Sequence, residues 1–411
     1  MKKHNACIST HEGWVEIDNE TKKVINCVKI KLHDKILESK FYKNKEGIYW
    51  LKVKKINNYE SNLGKCIAYY DTEYINHIVR YPEFTGQQFK DSLLLMCDAS
   101  AYSKNNGYFL RTHIWNIVYV KGNPCIIDIR DFMIYLKEND FKYMFLDCFK
   151  KELDNHCVIH ASKFVENYDE IYNLLDSVDN DLLKIRKVIE KIIVKKTDKK
   201  NWSDYHNGRT NYLMNVRHID ENLYNKVRTQ VGGLDDPQKS IGLFTLIEDI
   251  ESEIKTVIEI GCNNGLYCFG LSYKFNVVGI DYDEYSIDFA NKINKNLRAN
   301  CTFLCCNILD EENNDKAYGL NGSYDNLYTR LKSDCLIAPA VVHHLYKSCK
   351  STDKIIRIFN NFSTKYMIIE SIPDICKEEK LKESLIKYNW QIIKNVKSVP
   401  HPRNWMLCKK I

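Results

Sequence analysis

The segment VIEIGCNNGLY, followed by VVGIDYDEYSIDFA, constrains the fold more than any other part of this 411-residue chain. TVIEI (256–260) is a short apolar run of strand length, and it leads into a turn with glycines at 261 and 265. Gly261 and Gly265 lack a Cβ, so the backbone there tolerates unusual dihedrals and lets a ligand approach closely. A helix-like LYCFGLSYK follows, and Asp281 ends the next strand, NVVGID (276–281), 16 residues after Gly265. Where neighbouring parallel strands end over one crevice, such an acid can accept both hydroxyls of a ribose. Asn263 stands where a strict GxGxxG turn has its second glycine. A pyrophosphate therefore has less room here than a nucleoside with a short uncharged linkage.

The alternation continues with a helix over 284–297, then CTFLCC (301–306), DCLIAPA (334–340), YMIIES (366–371) and QIIKNV (391–396). Strands alternating with helices predict an α/β domain with a mainly parallel sheet covered on both faces. Asp236-Pro237 is a good helix opening, with an Asp cap and Pro at the first helical position, so the domain is expected to span 236–411.

These residues resemble the first motif of the class I S-adenosylmethionine-dependent methyltransferases, acidic-x-Gly-x-x-x-Gly, at Glu259, Gly261 and Gly265. The resemblance implies a Rossmann-like domain with a mostly parallel seven-stranded sheet, closed by the C-terminal VPHPRNWMLCKK. It implies S-adenosyl-L-methionine as cofactor, with its methionine portion on the Gly261–Gly265 loop that includes Cys262 and Asn263. Asp281 would bind the ribose with Tyr282 beside it, and Asn307 and Ile308 match the segment that holds the adenine. The family's usual residue at 307 is Asp; an Asn there can still hydrogen-bond the exocyclic amine.

The fourth strand ends in APAVVHHLY. A His pair just past the carboxyl end of a strand, beside the sulfonium, is where a methyl acceptor would be oriented or deprotonated. His343 and His344 are candidates, though neighbours at a helix start are not expected to point the same way; the structural alternative is a histidine capping that helix. Glu370, ending the fifth strand, is a second candidate base or an acceptor for a sugar hydroxyl, against a solvated strand-end carboxylate.

The first half is less legible. Alternating WVEI, KVINCVKIKL and IYWLKVKKI suggest a small antiparallel sheet in a β-rich lobe over about 1–62. Helices are expected around 86–97 and 138–152, with a strand pair at 117–128. DLLKIRKVIEKIIVKK (181–196) places Leu182, Ile185, Ile189 and Ile192 on one helical face and reads as a solvated connecting helix. The polar, turn-rich 201–235 reads as a linker. GYFLRTHIWNIVYVKGNPCIIDIRDF resembles the protein-kinase and aminoglycoside-phosphotransferase fold, with Asn116 and Asp128 at the catalytic-loop Asn and metal-binding Asp. Arg111 stands where that family has its base Asp, and no Gly-rich phosphate loop is evident upstream. The resemblance thus implies an α+β, degenerate kinase-like domain over 1–200 without phosphotransfer. With RYPEFTGQQFKDSLLL, this half looks like the domain that accompanies bacterial methyltransferases of glycan modification, which implies a small-molecule or glycan acceptor.

The formal charge of +6 is unevenly placed: 181–200 alone holds 8 basic and 3 acidic residues, while 236–411 holds 23 and 22. A broad nucleic-acid groove is therefore not announced, although an RNA methyltransferase using the basic stretch remains an alternative, as does a non-catalytic cofactor-binding scaffold. Sixteen scattered cysteines, with 301, 305 and 306 as the one cluster, lack zinc-ligand spacing and read as inert core thiols, so no metal site is expected. The polar amino terminus and the lack of a run near the roughly 20 apolar residues of a membrane span point to the cytoplasm.

Overall fold

The computed structural model describes residues 5–10, 13–18, 23–28, 49–50, 53–56, 68–72, 79–105, 109–110, 112, 114–127, 132–133, 141–149, 161–198, 200, 203, 211–230, 237–316, 325–373, 375–398 and 403–411. The chain divides into two compact units. One comprises Met1–Ile75, Arg80–Lys196 and Ala317–Asp325; the other comprises Asn76–Val79, Thr197–Lys316 and Asn326–Ile411.

The first unit opens with β1 (Asn5–Thr10), β2 (Gly13–Asp18), β3 (Lys23–Val28), β4 (Tyr49–Trp50), β5 (Val53–Ile56) and β6 (Ala68–Thr72). All but β4 form an antiparallel five-stranded sheet of order β1-β2-β3-β6-β5, as the alternating segments predict, reaching past residue 62 to 72. Helix α1 (Gly86–Asn105) follows, then β7 (Phe109–Leu110), the expected hairpin β8 (Ile117–Val120) and β9 (Asn123–Ile126), and β10 (Phe132–Met133). Helices α2 (Phe141–Asp147), α3 (Tyr168–Ser177) and α4 (Leu182–Glu190) complete it. Phe89, Leu93 and Met96 of α1 are fully buried, and Phe89 stacks on Phe164 with ring centroids 5.0 Å apart. Asn116 lies in a 3-10 turn before β8, and its carbonyl accepts from Ile127 N at 3.0 Å; Arg111 and Asp128 lie outside the described residues.

Helix α4 corrects the reading of 181–196 as a solvated connector. Its apolar face is buried, with Ile185 and Ile189 at 0% exposure, and it packs on α1. Asp181 caps it by accepting from Leu183 N and Lys184 N. It ends at Glu190, where the Lys90 ammonium of α1 donates to the Glu190 and Ile192 carbonyls, and Val194 then bridges Val165 in extended conformation. Part of the stretch's charge is used internally: Lys184 pairs with Asp179 at 2.6 Å, and Arg186 pairs with Asp98 and Glu190.

Apart from Asn76–Val79, the second unit begins at Thr197 and so takes in the whole of the expected linker. Helix α5 (Glu221–Gln230) buries Leu223, Tyr224 and Val227 against α6 (Pro237–Glu248) and α7 (Leu266–Leu271). The 201–235 boundary is thereby corrected, because three apolar residues at helical spacing suffice to anchor an otherwise polar helix. The remaining elements are β11 (Thr256–Ile260), β12 (Asn276–Asp281), α8 (Glu284–Leu297), β13 (Cys301–Cys305), α9 (Glu311–Asn314), α10 (Leu327–Leu331) and β14 (Ser333–Ala338). After them come α11 (Val342–Cys349), α12 (Thr352–Phe362), β15 (Ser363–Ser371), α13 (Glu378–Lys387), β16 (Trp390–Ser398) and β17 (Arg403–Lys410).

These strands form the expected seven-stranded sheet, of order β13-β12-β11-β14-β15-β17-β16. Its first five are parallel, and β17 runs antiparallel between β15 and β16. Central strands are apolar on both faces, as Val257, Ile258, Ile337 and Ile368 show by their complete burial. The order reverses between β11 and β14, which opens a crevice at the carboxyl ends of these strands. Among the described residues no helix is long and apolar enough to cross a membrane.

Candidate active site

A cavity of about 700 Å³ lies over that crevice, within the range of roughly 300–1,000 Å³ typical of small-molecule sites. Its wall includes Glu259, Gly261, Asn263, Asp281, Tyr282, Asn307 and Ile308 from the expected cofactor residues, and both His343 and His344. Cys262 and Gly265 shape the loop from behind the wall, and Cys262 is buried with its thiol pushed up to about 11 by burial.

The loop holds its shape through backbone geometry. Gly261 and Gly265 have φ of +74° and +80°, and Asn263 sits in the same left-handed region at 50°. A Cβ at Gly261 would lie 2.7 Å from Val341 Cγ2, and one at Gly265 would lie 2.5 Å from Phe303 Cε1. Gly261 N and Cys262 N both donate to the Ile280 carbonyl, which ties the turn to the end of β12. Below it Glu259 is buried and accepts from the Cys268 thiol at 2.9 Å.

Asp281 braces the same loop. One carboxylate oxygen accepts from Asn263 N at 2.8 Å and the other from Asp283 N at 3.0 Å. Burial pushes its pKa up to about 6, with the neighbouring Asp283 charge adding to the rise and the backbone N–H donors opposing it. Asp283 itself is buried at the start of α8 and accepts from the Ser203 and Ser286 hydroxyls at 2.5 and 2.7 Å. At the β13 end, the Asn307 side-chain oxygen accepts from Leu309 N at 3.1 Å, an Asx turn that orients the amide.

The histidines belong to the same cavity wall. They sit in the first turn of α11, with ring centroids 4.1 Å apart and planes at 40°, so both reach the cavity wall. That departs from the expectation that adjacent side chains diverge at a helix start: the rings lean on one another. His343 is 8% exposed, whereas His344 is half-buried. Burial holds the His344 imidazole's pKa below its ordinary value, and the nearby Lys347 and Arg403 charges push the same way. A neutral imidazole at pH 7 results, the form able to take a proton.

Glu370 is not the solvated strand-end carboxylate that is the alternative to a base or sugar-hydroxyl acceptor. It is 0% exposed and lies behind the wall, accepting from Ala340 N at 2.5 Å and from Arg403 Nη1 at 3.0 Å. It thus ties the β14–α11 loop, where Ala340 has φ of 51°, to the start of β17. Sequence reasoning missed Lys200, Tyr267, Asp283, Lys347 and Arg403, all in the cavity wall. Asp283 was visible as the second acid of DYD, whereas Lys200 and Arg403 reach the site from segments far away in sequence. Cys306, read as an inert core thiol, also borders the cavity and donates to Asn314 Oδ1 at 3.2 Å. Among the described residues no group of three or more His, Cys, Asp or Glu side chains could hold a metal ion.

A seven-stranded sheet with this strand order, a glycine cradle after its first strand and an acid at the end of its second defines a methyltransferase-type Rossmann domain. Residues 251–405 match the family model described as a methyltransferase domain. The chain thus carries a methyltransferase domain, and S-adenosylmethionine is the cofactor that this domain implies. The residues present fit that group: the loop is open where a Cβ would intrude, and Asp281 supplies acceptors at the carboxyl end of β12.

Several solved structures are similar to part of the chain. A TehB-like methyltransferase from Corynebacterium glutamicum is 13% identical, covering 41% of this chain and 86% of its own, with a TM-score of 0.32. Magnesium protoporphyrin IX methyltransferase from Synechocystis, with bound S-adenosylmethionine, is 12% identical over 53% of this chain and 99% of its own, with a TM-score of 0.34. WbdD, crystallised with a kinase inhibitor, is 16% identical over 48% of this chain and 46% of its own, with a TM-score of 0.33. No curated protein sequence matches the chain.

Proposed function

We propose that this enzyme methylates a hydroxyl oxygen of a sugar or glycan, with His344 as general base. The observation that carries the reading is that one cavity is lined both by the Gly261–Asp281 cradle and by a half-buried neutral histidine. When bound, S-adenosylmethionine supplies an activated methyl group on a sulfonium. The Gly261–Gly265 loop and Asp281 hold the cofactor, with Asn307 and Ile308 flanking the adenine. His344 would orient the acceptor hydroxyl and take its proton, and His343 packs against it to fix its ring. Glu370 is a positioning residue: it orients Arg403 and the Ala340 backbone beside the histidines.

The N-terminal half serves acceptor recognition in this reading, as a kinase-like module without phosphotransfer. Arg111 at the position of the base Asp supports that assignment, since a guanidinium cannot accept the proton. A nucleic-acid acceptor is less favoured because Lys184 and Arg186 of the basic stretch are already ion-paired. Incubation with methyl-labelled cofactor and fractionated host extract tests the acceptor class. Label in the carbohydrate fraction is expected, and label confined to RNA, protein or lipid would refute the glycan assignment.

A further inference from the structure

Residues upstream of the family-matched region help build the cofactor site. Lys200 stands in the wall of the cavity, and Ser203, 1% exposed, fixes the segment that carries it. The Ser203 hydroxyl accepts from Lys200 N at 2.6 Å and donates to Asp283 Oδ2 at 2.5 Å. Asp283 Oδ2 also accepts from Ser286, whose hydroxyl accepts in turn from the Asn263 side-chain amide at 3.2 Å. A buried hydrogen-bonded chain therefore runs from the backbone of Lys200 to the glycine loop.

The cavity is lined by charges of both signs. Lys347 and Arg403 surround His344, and Arg403 is bound to Glu370. Around the glycine loop are three carboxylates, Glu259, Asp281 and Asp283, and Asp283 Oδ1 is buried with no hydrogen-bond partner among the described residues. Lys200 lines the same cavity and is joined to this loop through its backbone N–H, Ser203 and Asp283. S-adenosylmethionine brings an α-ammonium and an α-carboxylate. The acids suit the ammonium, while a further carboxylate set among three others needs a counter-charge.

We infer that Lys200 binds the α-carboxylate of S-adenosylmethionine and that Ser203, through Asp283, positions it. The inference rests on the cofactor assignment above and adds a residue to that site. Calorimetric titration of the full chain tests it, using S-adenosylmethionine and its decarboxylated analogue as paired probes. Lys200 is exposed, so Lys200→Ala is expected to fold normally, which thermal unfolding checks. The variant should bind S-adenosylmethionine roughly three- to ten-fold more weakly and bind the decarboxylated analogue as the unaltered protein does. Lys200→Arg should restore most of the difference. Equal weakening toward both ligands, or no weakening, would overturn the assignment. Failure of the unaltered protein to bind either ligand would instead sink the cofactor reading on which it stands.

Discussion

The carboxylate of Glu370 and the guanidinium of Arg403 meet at 3.0 Å, with Glu370 wholly inside the protein and Arg403 in the cavity wall. The pair joins two strands that are neighbours in the sheet but 33 residues apart in sequence. Because Glu370 also accepts from Ala340 N, it sets the backbone that leads into the histidine turn. Glu370→Gln keeps one acceptor and removes the charge, so we expect a loss of about 2 kcal/mol in unfolding free energy. Turnover should fall while cofactor affinity holds. An unchanged turnover with intact cofactor binding would remove the positioning role.

The two histidines are separable by kinetics. Replacing His344 with Gln should lower kcat by about 100-fold or more, the lower end of what a general base contributes. His343→Gln should cost less, since it acts through its neighbour's ring. The His344 pKa is held below its ordinary value, so the neutral base is present above that lowered value and is lost as pH falls through it. The acid limb of kcat against pH should therefore lie below about 6.5 and vanish in His344→Gln. An acid limb unchanged by that substitution would assign the proton elsewhere.

Cofactor affinity should carry its own pH dependence. Asp281 is ionised only above about 6, and a ribose hydroxyl donates best to the carboxylate form. Affinity should thus be full at pH 8 and fall as pH drops through 6. Titrations at several pH values check this, and a flat profile between pH 5 and 8 would contradict it.

Gly265→Ala tests the cradle. The new Cβ would meet Phe303 at 2.5 Å at a φ of +80°, which combines overpacking with a left-handed conformation. A loss of about 2–4 kcal/mol in stability is expected from the two costs together, with cofactor binding weakened in the protein that still folds. Denaturant unfolding measures the first effect and calorimetry the second.

Much of the second unit was legible because local and global signals agree. NVVGID and the helix over 284–297 have the predicted bounds, since apolar strand, acid and amphipathic helix follow one another without conflicting signals. Helix α5 was hidden because its polar residues dominate and only its burial on α6 and α7 reveals the anchoring face. The stretch after Glu190 kept a helical hydrophobic pattern but is extended, since Lys90 takes the terminal carbonyls and Val194 pairs with Val165. Within the site, the Gly261–Asp281 cradle could be read from spacing. The burial of Glu370 could not, because its partners Ala340 and Arg403 lie 30 and 33 residues away in sequence.

Whether the cavity over β11 and β12 holds S-adenosylmethionine is decided by calorimetric titration of the cofactor into the unaltered protein and Asp281→Ala. We expect one site in the unaltered protein and an affinity lower by roughly 1–3 kcal/mol in the variant, the scale of lost hydrogen bonds to a charged group. Absence of binding, or equal binding by both proteins, would contradict the account.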